Sequence, residues 1–437
     1  MSTRRISISQ LRKGMFVHEL DIPWMKSPFL RHRRKIDTHN DVVLLKKAGV
    51  MELTIDLSRG DDILDNTQTS PFEEPVDQPK DKSIPTPPPV TTFAKTAGPE
   101  ESSDQQHPPE AGTEEKAPLN EELKVAKVLQ GKIEKLVNQL GSLVKEGRPL
   151  SIETMNPVID EARKSLCRND QALLTMLHLH RQDIKLSDHG FGVFAVVLPL
   201  AMRLDCTDDE INELGLAALL HDTGWSRLPM HLLGKNKPYT VPERRLIEQH
   251  PGIIENVLKK SQDFPDSVKM MVKQHHELSD GSGYPDKLKK QATHKLVEIL
   301  QVADSYDECI HGLTDKPGML PANALKLLYQ AGKKGLYSET VVSKLIHVMS
   351  IYPLTSAVRL NSGEKGVVVE IDKQKPLQPK VKIMYEANGK PCGYEKIVDL
   401  GNQEQGVILT ITEVIDPVDK KEDPLGLLRV IDVQVAS

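Results

Sequence analysis

The chain has 437 residues, 38% hydrophobic and 27% charged, with a formal net charge of −5. That length allows two or three domains, and the composition fits a soluble globular protein and excludes a chain disordered throughout. No apolar run approaches the ~20 residues of a membrane span, and no signal-peptide core follows the N-terminal Met-Ser-Thr-Arg-Arg-Ile, so a cytoplasmic location is expected.

The four cysteines, Cys167, Cys206, Cys309 and Cys392, are too scattered for a disulfide framework or a thiolate metal site. Residues 1–59 read as a small α/β unit. Ile6-Ser7-Ile8 alternates like a strand, and Gly14 marks a turn. Thr38 to Gly49 reads as a helix with Thr38 as N-cap, and Val50 to Leu57 as a further strand. The basic run Arg31-His32-Arg33-Arg34-Lys35 reads first as a solvated edge and second as a ligand patch.

Residues 60–118 hold 13 Asp/Glu against 4 Lys, and 11 of the 30 prolines. The segment carries −9, which leaves +4 on the rest of the chain. Such a stretch cannot bury enough apolar area to offset its ordering entropy, so a disordered acidic linker is expected. The mildly basic remainder suits an anionic substrate, although an acidic tether beside ordinary domains gives the same balance.

A long amphipathic helix is predicted from Asn120, taken as its N-cap, with Val125, Leu129, Ile133, Leu136, Leu140 and Val144 on one face. Packing on its own domain is the simpler account of that stripe, and pairing with a second copy is the other. Helical patterning continues to about residue 350, so residues 119–354 read as an all-helical domain. Residues 355–437 read as a β-rich extension. It opens with a hairpin through Val358-Arg359-Leu360 and Val367 to Ile371, and Val381, Ile383 and Tyr385 alternate after it.

Imidazoles and carboxylates stand at the edges of separate apolar helices: His189, His221-Asp222, His250-Pro251, His275-His276 and Asp304. Neutral imidazole with carboxylate suits divalent Fe, Mn, Ni or Zn without choosing among them. An Asp can bridge two such ions, which lower the pKa of water and clamp a phosphoryl oxygen. Single histidines are more often packing or surface residues, and His178, His180, His231, His294, His311 and His347 are read so.

Together, His189, His221-Asp222-Thr223-Gly224, His250-Pro251, His275-His276-Glu277, Asp280-Gly281-Ser282-Gly283-Tyr284-Pro285 and Val302-Ala303-Asp304-Ser305-Tyr306-Asp307 resemble an HD-GYP domain, a branch of the HD phosphohydrolases. Gly14-Met15-Phe16-Val17 and Trp24 to Phe29 resemble the unit that often precedes such domains. Ile351-Tyr352-Pro353, Val358-Arg359-Leu360 and Ser362-Gly363-Glu364 match the same subgroup. The resemblance implies a mainly α fold with an HD-type metal-binding domain. It implies cleavage of the bacterial second messenger cyclic di-GMP to pGpG or GMP. It implies two divalent metal ions, one on His189, His221, Asp222 and Asp304, the other on Asp222, His250, His275 and His276. Catalysis would centre on Asp222 and His221. A third ion, held in some members by a Glu at the position of Lys185, is not expected here. The Gly283-Tyr284-Pro285 loop would border the guanine, although glycines there could simply shape a connection.

The departures concern phosphate handling. Where the family has a phosphate-facing Lys after His-Asp-x-Gly, this chain has Trp225, which could stack on a base. Where the family has an Arg, it has Leu313, with Lys316 three residues on. Each lost charge-assisted contact should cost about 1.5–3 kcal/mol, and two such losses roughly two to four orders of magnitude in affinity or turnover. One of Lys287, Lys289 and Lys290 could turn inward to compensate, and an exposed lysine cluster is the plainer expectation. The favoured function is therefore a cyclic di-GMP phosphodiesterase. The alternatives are a weak or silent cyclic di-GMP receptor, or a hydrolase of another nucleotide. A diguanylate cyclase domain and a second copy of the chain are the protein partners this reading admits.

Overall fold

The computed structural model describes residues 3–22, 27–29, 34–62, 117–179, 185–233, 235, 237–261, 263–289, 294–313, 317–372, 375–403 and 408–415. The chain divides into two compact units, residues 1–113 and 114–437. The expected linker lies almost wholly outside the described residues, as do Arg31 to Arg33, Lys290 and Lys316.

In the first unit, strands β1 (Thr3–Ser7), β2 (Phe16–Leu20), β3 (Arg34–Lys35) and β4 (Glu52–Asp56) form an antiparallel sheet in the order β1-β4-β2-β3. Helix α1 (His39–Lys47) packs its Val42 and Leu45 onto Ile6, Val17, Leu53 and Ile55. Thr38 caps α1 as expected. Its hydroxyl accepts from the Asp41 N–H, and the Asp41 carboxylate accepts in return from the Thr38 N–H. Of the basic run, Arg34 and Lys35 form the edge strand. Arg34 is taken up by Asp41 at 3.4 Å and by the face of Phe29.

The second unit begins with α2 (Leu119–Glu146). Its N-cap is Pro118, not Asn120, because a proline with no N–H to satisfy starts the helix two residues earlier. The buried stripe runs through Leu123, Ala126, Leu129, Ile133, Leu140 and Val144, while Val125 is only half-buried. Glu122, buried at the start of α2, accepts from Arg168 and from Ser165 at 2.7–2.8 Å. This ties α2 to α3 (Asn156–Arg168).

There follow α4 (Ala172–Leu179), α5 (Leu186–Arg203), α6 (Asp208–Leu220), α7 (Val241–Ile247), α8 (His250–Leu258), α9 (Asp266–Gln274), α10 (Lys295–His311), α11 (Pro321–Lys333) and α12 (Glu339–Met349). Helix α5 is apolar nearly all round, and that composition predicts a central position. It is flanked by α2, α6, α10 and α12 and is buried from His189 to Ala201. The mainly helical fold is as expected, and no helix among the described residues is long and apolar enough to cross a membrane.

The chain closes with β5 (Ala357–Leu360), β6 (Lys365–Glu370), β7 (Lys380–Tyr385), β8 (Ile397–Asp399) and β9 (Ile411–Val414). They form a sheet of order β8-β7-β6-β5-β9, and the predicted β5–β6 hairpin is its centre. Val358, Val368, Val381 and Ile383 build its small core.

Candidate metal centre

Each imidazole is aimed before any ion is considered. His221 follows the last turn of α6, His250 opens α8 and His275 follows α9. Each uses Nδ1 against the carbonyl three residues earlier: Ala218 at 2.9 Å, Ile247 at 2.7 Å and Val272 at 2.8 Å. Helix ends leave such carbonyls without an intrahelical partner, so the ring satisfies one and turns Nε2 away from the helix. His189, in the first turn of α5, has no such carbonyl. Its Nδ1 lies 2.6 Å from Oδ2 of Asp307 on α10.

The Nε2 atoms converge on Asp222. One carboxylate oxygen, Oδ1, lies 3.0 Å from His250 and 3.5 Å from His275. The other, Oδ2, lies 3.3 Å from His189 and 3.9 Å from His221. Asp304 adds Oδ1 at 3.1 Å from His189 and 3.6 Å from His221, and Oδ2 at 3.6 Å from Nδ1 of His276. Two groups result. Asp222, His250, His275 and His276 form one, and His189, His221 and Asp304 the other, each with ligand-type atoms within 4.8 Å. All seven residues are buried except His276, which is half-buried.

The charges are consistent with cation binding. Burial, the largest influence on Asp222, works against its carboxylate, but His221 and His250 hold its pKa well below the usual range. Burial likewise opposes the Asp304 carboxylate, and the nearby His189 and His221 imidazoles overcome it. Burial lowers His275, and burial with the neighbouring His275 holds His276 well below an ordinary histidine, so both offer lone pairs at neutral pH. Burial also opposes charge on His189 and His221. There it is outweighed, by Asp222, Asp304 and Asp307 for His189 and by Asp222 and Asp304 for His221, and both pKa values rise.

The Oδ1 of Asp222 and both oxygens of Asp304 are buried yet accept no well-directed hydrogen bond among the described residues, although imidazoles stand 3.0–3.6 Å away. Buried carboxylate oxygens left so are costly, and a divalent cation compensates them directly. The donor set of histidine nitrogen and aspartate oxygen therefore fits divalent metal.

The substrate-side expectations fare differently. Trp225 is buried among Leu228, Leu232 and Ile247, with its indole stacked on the His250 ring at 5.5 Å and 29°. It supports His250 and does not present a free face to a base, because a large apolar ring gains more from that cluster than from solvent. Leu313 is buried as well. Lys287 and Lys289 are exposed, so of the three lysines the two described do not turn inward. Lys185 is exposed at the start of α5.

In the Gly-Tyr-Pro loop Tyr284 is half-buried and stacks on His276 at 4.7 Å and 29°, while Pro285 is exposed. Gly283 is buried, not substrate-facing. A Cβ there would lie 2.5 Å from the His276 carbonyl oxygen and 2.3 Å from the Leu278 nitrogen, so only glycine lets the loop close over the histidine pair.

Three residues escaped the sequence reading. Glu277 is fully buried and accepts from the N–H groups of Asp286 at 2.5 Å and Leu288 at 2.7 Å, which draws the loop back over the site. Glu277 and Asp307 were visible only as parts of motifs. His311, taken as a packing residue, lies with Nδ1 3.0 Å from the same Asp307 oxygen that meets His189. Its spacing of four from Asp307 on one helix was the available signal.

Residues 156–341 match the model of the HD domain. Residues 3–155 match a domain of unknown function, DUF3391, and residues 357–421 a KOW domain associated with the HD domain. The cyclic di-GMP phosphodiesterase PA4108 of Pseudomonas aeruginosa is 29% identical over 403 residues, 92% of this chain and 90% of that one. The cyclic di-GMP phosphodiesterase response regulator RpfG of Xanthomonas campestris is 30% identical over 210 residues, 46% of this chain and 52% of that one. Among solved structures, Bd1817, an HDG"Y"P protein from Bdellovibrio bacteriovorus, is 19% identical with a TM-score of 0.44, covering 79% of this chain and 98% of that one.

Proposed function

From the match of residues 156–341 to the HD domain, we propose that this chain is of the HD-GYP branch and is a metal-dependent phosphodiesterase that hydrolyses cyclic di-GMP to pGpG or GMP. The observation that carries the reading is the division of Asp222, one oxygen toward His250 and His275 and the other toward His189 and His221. A carboxylate so placed is suited to bridge two cations. His189, His221 and Asp304 with Asp222 would hold one, and His250, His275 and His276 with Asp222 the other. When bound, such a pair lowers the pKa of water and neutralises charge building on a phosphoryl oxygen.

The residues themselves do the rest. The helix-end carbonyls hold three Nε2 atoms in place, so the site is preorganised. His276 and Tyr284 are stacked at the half-buried side of the cluster, where a guanine or its phosphate would enter. The closed packing around Trp225 favours a second reading, a receptor that binds the cyclic dinucleotide with little turnover, since the position expected to carry a phosphate-facing charge is an indole beneath His250.

The deciding experiment follows cyclic di-GMP by chromatography with metal-quantified protein, against Asp222→Asn. Cleavage lost in the variant supports the enzyme. Binding without cleavage at every metal loading supports the receptor and overturns the enzyme. Cleavage retained in the variant overturns the site.

A further inference from the structure

We infer that Asp307 is a positioning residue of this centre, fixing the ring of His189 so that its Nε2 faces Asp222 and Asp304, and that His311 and Gly192 are the parts of the fold that hold Asp307 there. The inference deepens the proposed function, because it treats His189 as a ligand.

His221, His250 and His275 each receive their orientation from a backbone carbonyl. His189 stands in the first turn of α5, where N–H groups rather than carbonyls are left over, so its own helix cannot aim it. The Asp307 carboxylate supplies the missing acceptor at 2.6 Å. A neutral imidazole that donates from Nδ1 presents its lone pair at Nε2, and Nε2 is the atom 3.1 Å from Asp304 and 3.3 Å from Asp222. A carboxylate acceptor also makes that lone pair more basic than a peptide carbonyl does.

Asp307 is itself fully buried, and its second oxygen accepts no hydrogen bond among the described residues. Its position therefore depends on two neighbours. His311, one turn along α10, donates to the same Oδ2 at 3.0 Å. Gly192, one turn along α5 from His189, leaves the space the carboxylate fills, since a Cβ there would lie 1.8 Å from Oδ1 of Asp307. An alanine at 192 would push the carboxylate off its place while removing no polar group. Two helices thus meet through one carboxylate, and the contact exists only because α5 has no side chain at that point.

The test uses the full-length chain with zinc(II) as probe. Zinc affinity is measured by chelator competition for the wild type, Asp307→Asn and Gly192→Ala. Losses of roughly tenfold to a hundredfold are expected in both variants, the range for partners of metal-binding histidines. Affinity within about twofold of wild type in variants that keep their helical circular dichroism would overturn the inference. If neither variant folds, the wild type decides alone. In zinc-loaded, histidine-labelled protein the His189 Nδ1 proton should be downfield and slow to exchange, whereas coordination through Nδ1 or free exchange of that proton overturns the assignment. Cyclic di-GMP cleavage is assayed separately. A wild type that binds zinc as expected but cleaves nothing when loaded with iron, manganese, nickel or zinc would sink the proposed enzyme and leave the role of Asp307 standing.

Discussion

The two halves of the proposed metal centre are aimed by different means. Around Asp222, the rings of His250 and His275 are held by carbonyls three residues back in the chain, and His276 follows directly. In the other half His221 is held the same way, but His189 depends on Asp307, 118 residues away. Local orientation comes with the end of the helix and needs only that the helix form. Remote orientation needs α5 and α10 to be docked correctly, so it is the more fragile half and the one the tertiary structure can tune.

Loss of single ligands tests whether the halves are separable. Asp222→Ala should bind neither ion and fall below about 10⁻³ of the wild-type rate, roughly 4 kcal/mol or more in the barrier. His250→Ala and His189→Ala should each retain one ion, and metal counting by mass spectrometry would show two lost from either variant if the halves were one unit.

Support from outside the ligands comes next. Trp225→Ala removes the indole packed on His250 and should cost about 3–5 kcal/mol of stability, read by denaturant unfolding of the metal-free protein. Glu277→Gln replaces one of two oxygens that receive loop N–H groups. It should cost about 1–3 kcal/mol and quicken hydrogen exchange at Asp286 or Leu288.

Proton competition then separates the halves without mutation. His189 and His221 have raised pKa values, so as pH falls they take up protons early and release their ion first. His275 and His276 have lowered values and stay neutral further down, so their ion is retained longer. A titration of bound metal against pH should show two steps, each steepening toward about tenfold per pH unit per proton displaced. One step only would merge the halves. The smallest effect is expected from Lys287→Glu with Lys289→Glu. Both side chains are exposed, and their reversal should move cyclic di-GMP affinity by less than about threefold at physiological salt.

Much of this was legible in the residues. The helical middle and the β-rich end followed from periodicity, and the candidate ligands from histidines and aspartates at the edges of apolar helices. Trp225 was misread because an aromatic residue in place of a lysine invites a substrate contact, whereas Leu228, Leu232 and Ile247 draw it inward. The N-cap at Asn120 was misread because Pro118 also starts a helix. His311 was passed over because its i,i+4 pairing with Asp307 on α10 gains a role only when His189 of another helix meets the same carboxylate.

By itself the sequence determined which side chains could bind metal and how His221, His250 and His275 would be turned, because helix-end geometry is set by residues within one turn. Only the tertiary structure decided where Asp222 would point, that Trp225 would lie under His250, and that Asp307 would reach His189 through the gap at Gly192. Those outcomes depend on how close-packed helices meet, and a single missing Cβ changes them.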